Sequence, residues 1–373
     1  MHISRTLSVS VFTTMLGFGI ISPLLPVYAT DIGATGLWLG IIFAGFSVSR
    51  TFSMSIIGRL SDKQSKKRII VFGLLLYTVI SILYIFASDV YFLTLVRMFH
   101  GLASVMVVPI AMAIVGETSV EGEEGIQMST ISTSRVLGRG FGPLIGGAIY
   151  AAFGMSSVFL VMSGLSMVAF VMVLLFIPDT KDLGVQKNTL SYRQVLKSVR
   201  IRGLFLYRFT RAINLGVFFV FLPLFATVIG LSVFEIGVLI SSILVLTALL
   251  QRPFGYLADR FDRLNLIIFG FIFSAIPLFI LPYTSNFVEL IFLCSFIGVG
   301  RALSMPPSLA LTIEIGRKIG MGFAMGLLST AMGIGMITAS LTSGFLLDFY
   351  GINLPFYFAG IISIITAPII YLL

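Results

Sequence analysis

The sequence predicts an all-α membrane protein of twelve transmembrane helices, arranged as two parallel repeats of six. Three observations predict it. The mean hydropathy is +1.09, with 58% hydrophobic and only 10% charged residues among 373, a composition outside the range of soluble domains. Twelve apolar segments, each near the roughly 20 residues that a membrane helix needs, alternate with short polar breaks. The chain also repeats itself without gaps at an offset of 197 residues.

In chain order the segments lie near 6–29, 36–57, 69–87, 90–116, 126–151, 155–177, 203–229, 234–255, 264–284, 287–313, 321–347 and 353–373. The first opens "MHISRTLSVSVFTTMLGFGI", where Arg5 ahead of an apolar run imitates a secretory leader. No small-residue cleavage site precedes Pro23 and Pro26, so the stretch is read as the first span. The longest polar break, "PDTKDLGVQKNTLSYRQVLKSVRIR" from Pro178 to Arg202, divides the spans six and six. The domains are therefore a six-helix half at 1–177, a linker at 178–202 and a second six-helix half at 203–373.

The repeat is read residue by residue. "LPVYATDIG" (Leu25 to Gly33) lies over "LPLFATVIG" (Leu222 to Gly230), Gly40 over Gly237, Asp62 over Asp259, Gly101 over Gly298, Glu117 over Glu314 and Gly154 over Gly351. Because each half has an even number of spans, both insert the same way, the arrangement in which a site lies between two rocking halves. Orientation follows from the basic residues. The breaks near Asp31, Asp89, Ala152, Glu235, Glu289 and Asp348 hold five acids and no Lys or Arg, so they are external; both termini, the linker and the charged loops are cytoplasmic. The net charge of +9 is then a topology signal beside anionic headgroups. It implies a lipid bilayer partner and no nucleic acid, since no basic soluble domain exists to bind one.

Two stretches carry most of the polar signal. "GRLSDKQSKKR", from Gly58, gathers six charges into eleven residues, and "GYLADRFDRLN", from Gly255, is its repeat mate. Gly58 allows helices to approach closely, and Gly255 holds the same place in the second gate motif. Asp62 and Asp259, at the cytoplasmic ends of their spans, can accept hydrogen bonds from a neighbouring helix N-terminus or an Arg, bonds that form in one conformation and break in another. The bland alternative is that the basic residues merely fix topology. In the fifth span Gly138, Gly142 and Gly146 recur on one face and Pro143 loosens the backbone, a face made for close packing and bending.

These residues resemble the major facilitator superfamily. Gly58-x-Leu60-x-Asp62 and Gly255-x-Leu257-Ala258-Asp259-Arg260 are similar to its loop signature, Arg97 with Gly101 to its fourth-span motif, and "GRGFGPLIGG", Gly138 to Gly147, to the fifth-span motif of its drug and proton antiporters. "SPLLPVY", Ser22 to Tyr28, resembles the double-proline end of their first span. The departures are Ser65 and Asp262, which stand where the loop pattern has its second Gly, and Leu264 and Asn265, which replace the basic end. The resemblance implies the major facilitator fold and a secondary transporter of small molecules.

The remaining intramembrane charge is cationic: Arg50, Arg97, Arg135, Arg139, Arg208, Arg211 and Arg301 fall inside spans, and no Asp or Glu stands at midspan. An unpaired Arg in hydrocarbon costs at least ~2.5 to 3.5 kcal/mol, so these residues either line a wet cavity and meet an anion or bond backbone carbonyls and gate partners. The candidate cavity set is Arg50, Arg135, Arg139, Arg211, Asn214 and Arg301; Arg97 is assigned to the gate. Glu117 and Arg135 lie equidistant from the turn near Ile126, which predicts a pair at one depth, in the first half only because Met332 faces Glu314. The same spacing resembles the superfamily's sugar and proton symporters. Glu117 is the candidate proton carrier, and His100, one turn from Arg97, is either a second titratable group or a neutral packed histidine.

The predicted function is a secondary transporter working by alternating access in the cell membrane, exporting small organic or amphipathic compounds in exchange for protons, as a monomer. Uptake or exchange of a small anion or sugar is the alternative within transport; a transport-dead sensor or scaffold is the alternative outside it. No nucleophile, base and orienting acid converge in any span, so an enzyme is not expected. No phosphate-binding loop supports ATP drive, and lone Cys294 supports neither a disulfide nor a cysteine metal site. No cofactor or metal is expected.

Overall fold

The computed structural model describes residues 2–118, 124–179, 199–319 and 321–372. Every regular element among them is helical: α1 (His2–Ile21), α2 (Leu24–Asp31), α3 (Gly36–Lys63), α4 (Lys66–Leu83), α5 (Val90–Thr118), α6 (Glu124–Phe176), α7 (Val199–Val228), α8 (Val233–Arg260), α9 (Arg263–Ile280), α10 (Phe287–Ile319), α11 (Met321–Tyr350) and α12 (Leu354–Leu372). Eleven helices are long and apolar enough to cross a membrane. One of them, α6, has 53 residues. At about 1.5 Å per residue this is more than twice the ~30 Å hydrocarbon thickness. Gly154 breaks it with φ 76° and ψ −179°, into arms 124–153 and 155–176. Counting α6 twice gives the twelve predicted crossings. The first crossing is itself divided, into α1 and α2, at Ser22 and Pro23.

The 197-residue repeat governs backbone geometry as well as residue identity. Helix α8 begins and ends 197 residues after α3, and α9 does the same after α4. Among described residues the positive-φ glycines are Gly33, Gly154, Gly230 and Gly351, two repeat pairs at which an L side chain would be strained. Two departures from the loop pattern also find their cause here. Ser65 caps α4, its side chain accepting from the Arg68 amide at 3.5 Å, and its mate Asp262 caps α9, accepting from the Asn265 amide at 2.8 Å. A cap oxygen satisfies an amide that the helix leaves open; a glycine has none to offer.

Contacts divide the chain into two compact units. Unit 1 is Met1–Ala34, Gly45–Val185 and Ser232–Ser241, and unit 2 is Thr35–Ala44, Gln186–Leu231 and Ser242–Leu373. Each unit thus takes a short opening segment of a helix whose remainder lies in the other, the start of α8 in unit 1 and the start of α3 in unit 2.

Inside unit 1, α1 packs along the first arm of α6. A Cβ at Gly138 would meet the Phe12 carbonyl and one at Gly142 the backbone of Gly19, so the predicted glycine face is a helix contact surface. In unit 2 the mates repeat it, with α11 against α7: a Cβ at Gly335 would meet the Phe209 carbonyl. Lipid is as apolar as leucine, so close backbone approach, more than area removed from water, holds such helices together. Large side chains then fill the remaining space, Ile20, Leu24 and Val158 in unit 1 and Tyr207, Ile267 and Phe271 in unit 2. Others point outward, among them Phe52 and Phe72, as a lipid-facing surface requires.

Candidate substrate cavity and gate residues

In unit 1 four elements bring the predicted cations and His100 towards one region. Helix α3 carries Arg50, α5 carries Arg97, His100 and Gly101, the first α6 arm carries Arg135 and Arg139, and α4 with the turn after it supplies Tyr77 and Tyr84. Arg50 is exposed, Arg135 and Arg139 are half-buried, and Arg97 is buried. Arg139 is within electrostatic reach of both Arg50 and Arg135. The Arg97 guanidinium carbon stands 4.4 Å from the Phe46 ring centroid and that of Arg139 5.3 Å from Phe18. Such contacts orient a cation on the negative face of a ring without cancelling its charge.

His100 is fully buried, bonded through Nδ1 to the Tyr84 hydroxyl at 2.9 Å. The rings of Phe18, Phe46, Tyr77 and Tyr84 surround it, their centroids 4.8 to 5.8 Å away. This is the surrounding of the packed histidine foreseen as one of its two readings. Close approach of the backbones makes it possible: a Cβ at Gly101 would meet the Phe46 carbonyl and the Arg50 amide.

Glu117 corrects the expected pairing. Its carboxylate meets the Lys66 ammonium at 3.0 Å instead of Arg135. The reason is connectivity: α4 starts at Lys66 and α5 ends at Thr118, adjacent antiparallel helices that bring both residues to the same end. Nor does the pair belong to the first half alone. Arg263 and Glu314, the repeat mates of Lys66 and Glu117, form an ion pair at 3.5 Å between α9 and α10. Spacing within one hairpin suggested Arg135; the available signal for Lys66 was that the offset keeps a basic residue at Lys66 and Arg263 as it keeps an acid at Glu117 and Glu314.

The loop glycines need a second correction. A Cβ at Gly58 or Gly255 meets nothing within 4 Å, so neither is a point of close helix approach. The side chains of Asp62 and Asp259 lie outside the described residues. Close approach occurs instead at two repeat-related crossings nearer the opposite ends of these helices. In unit 1, α8 meets α6 where a Cβ at Gly237 would strike the Pro143 carbonyl and one at Gly147 the backbone of Val233 and Phe234. The Leu144 amide there donates to the Ser241 hydroxyl at 3.0 Å. In unit 2, α3 meets α11 where Gly40 faces the Ser340 carbonyl and Gly36 faces Gly344. Asp348 distinguishes this second crossing: it accepts from the Gly36 amide at 2.6 Å and the Leu37 amide at 2.8 Å, capping α3. Its mate in the first half is Ala151, and α8 caps itself, Glu235 accepting from the Ser232 amide at 2.8 Å. Asp348, counted above among the external acids, is thus also a cap; its break in the repeat was the available signal.

In unit 2 the predicted Arg211, Asn214 and Arg301 line a single pocket, with Ser274 and Ser304, between α7, α9 and α10. All three are half-buried. Arg211 donates to the Met305 thioether at 3.2 Å, and Asn214 donates to the Ser363 hydroxyl at 2.8 Å. Arg208, buried one turn before Arg211, approaches the Met332 sulfur at 4.0 Å. Among the described residues no group of His, Cys, Asp and Glu is arranged to hold a metal.

Twelve apolar crossings built on a repeat, with polar side chains gathered inside the units, define a polytopic membrane transporter, and the comparisons specify which kind. The profile described as Major Facilitator Superfamily matches residues 7–245 and 204–373. The chain belongs to that superfamily and is a transporter, not an enzyme. An uncharacterised MFS-type transporter of Methanocaldococcus jannaschii, MJ1560, is 32% identical over 98% of this chain and 96% of its own length. The multidrug resistance protein MdtG of Proteus mirabilis is 26% identical over 94% of this chain and 90% of its own. The crystal structure of the nucleoside transporter NupG superposes with a TM-score of 0.79 at 15% identity, covering 100% of this chain and 98% of the other, which establishes the fold.

Proposed function

We propose that this transporter exports small organic, amphipathic compounds by alternating access, driven by protons, as a monomer in the cell membrane with both termini cytoplasmic. The observation that carries alternating access is the pair of glycine crossings. In each, two helix backbones touch through Gly and carbonyl surfaces, at Gly237 on Pro143 and at Gly40 on Ser340, and a polar side chain bridges them, Ser241 to the Leu144 amide in the first and Asp348 to the Gly36 and Leu37 amides in the second. Polar bridges of this kind break and re-form as a crossing opens and closes, which a static scaffold does not need. Export is supported by the fifth-span motif, whose Gly138, Gly142 and Gly146 meet α1 while Pro143 and Gly147 meet α8, and by the relative named as a multidrug resistance protein.

Proton coupling is assigned to Glu117, now with Lys66 as its partner. Flux in proteoliposomes under a pH gradient of either sign tests the whole reading. Glu117→Gln should abolish gradient-driven accumulation and spare equilibrium exchange, because exchange needs the conformational cycle without net proton movement. Accumulation that persists moves the carrier elsewhere, to His100 first. If neither the wild type nor any variant responds to pH, the protein is a facilitator or an anion exchanger.

A further inference from the structure

The pocket of unit 2 carries a statement about cargo that neither the fold nor the relatives supply. Its polar lining is cationic, Arg211 and Arg301, supplemented by the neutral Asn214, Ser274 and Ser304. Its remaining wall is apolar and partly aromatic, including Phe218, Phe271 and Ile297. The hydrogen bond that the structure gives Arg211 ends on a thioether, shared with the Gln251 amide at 2.9 Å. A thioether is a weak, neutral acceptor; it orients the guanidinium and leaves the positive charge in place. Arg208 adds to the same potential from within electrostatic reach of Arg211. Meanwhile the acids of the described helices stand at or near helix ends, away from the middle of α7.

A positive, partly dehydrated pocket repels cations, and the planar donor forks of arginine match two-oxygen acceptors. We infer that this pocket, roomy enough for one small polar group, binds the acidic head of an amphipathic organic anion, a carboxylate, whose aromatic or alkyl body lies beyond its mouth. The inference rests on the exporter reading and names its substrate class. The head is held by Arg211 and Arg301, and the neighbouring Asn214 and serines accept or donate to whatever polar atoms flank it. The shared chemistry admits a lipid headgroup as well as a free solute, so the lipid is part of the test.

The test is binding to the full chain in phosphatidylcholine nanodiscs, with three probes that share one body: 4-butylbenzoate, 4-butylbenzamide and 4-butylbenzyltrimethylammonium. The benzoate should bind about tenfold or more tighter than either other probe, the scale of one charge-assisted pair. Added phosphatidylglycerol should leave that affinity unchanged. Arg211→Gln and Arg301→Gln should each reduce the preference while retaining benzamide binding, which doubles as the measure of a folded pocket, and the Lys variants should keep part of it. Equal or weaker binding of the benzoate by the wild type overturns the inference without recourse to any variant. So does a preference that survives both Gln substitutions together, and so does displacement by phosphatidylglycerol, which would make a lipid the occupant. Accumulation in everted vesicles separates the two readings. Benzoate bound but not accumulated defeats export and keeps the anion site; the ammonium probe accumulated in place of the benzoate defeats the anion site and keeps export.

Discussion

Asp348→Ala should open the α3 and α11 crossing more often, by an amount the geometry fixes. The carboxylate accepts two amide hydrogens of α3, at 2.6 and 2.8 Å, both at a helix N-terminus whose partial positive charge favours an anion. Asp348 is exposed, which reduces its worth below that of a buried charge. Loss of a cap in such a setting costs about 1 to 2 kcal/mol, a factor of about 5 to 30 in an equilibrium between closed and open crossings. Ser340, fully buried beside Gly40, gives the readout. A Ser340→Cys variant in a Cys294→Ala background reacts with a water-soluble maleimide only when the crossing opens, so its alkylation rate should rise by that factor in Asp348→Ala. Asp348→Asn, which keeps one acceptor oxygen and loses the charge, should fall between the two. Glu235→Gln, which alters the self-cap of α8, should leave the rate unchanged. Identical alkylation rates in Asp348→Ala and its parent would show that the two bonds do not hold the crossing, and the reasoning from helix capping would fail.

Glycine substitutions should divide by position: Gly142→Ala forces a Cβ against the Gly19 backbone and should lower the folded yield in detergent, whereas Gly58→Ala meets open space and should leave yield unchanged. The Lys66 side chain is 6% exposed and that of Glu117 30% exposed. Glu117→Gln, besides its effect on coupling, should therefore cost about 1 to 2 kcal/mol of stability by leaving an ammonium without its partner, a buried-pair cost discounted for the half-open carboxylate. The charge-exchanged Lys66→Glu, Glu117→Lys double variant should recover most of that loss in a denaturant titration, and recovery no better than either single change would deny the pair a structural role.

How much was legible follows from which forces act locally. The twelve crossings and their repeat were set by composition, because a backbone in hydrocarbon must satisfy its polar groups within one helix, and a duplicated sequence imposes the same helix limits twice. Even Gly154 and Gly351, aligned from sequence alone, prove to share a positive φ. Arg211, Asn214 and Arg301 stood together in the candidate set, but that Arg301 of α10 meets Arg211 and Asn214 of α7 at one pocket is decided by packing between helices distant in sequence. The partner of Glu117 was misjudged because the hairpin argument set Arg135 at its depth, whereas Glu117 stands in the last turn of α5 and Arg135 well inside α6; the packing of α4 against α5 brings Lys66 beside it instead. Gly58 was assigned a close approach that the chain makes instead at Gly40 and Gly237. Sequence by itself determined where the backbone must be helical, where it must turn and that half of it repeats; the tertiary structure alone decided which charges pair and which line a pocket, because electrostatic pairing depends on distances between helices that no single helix encodes.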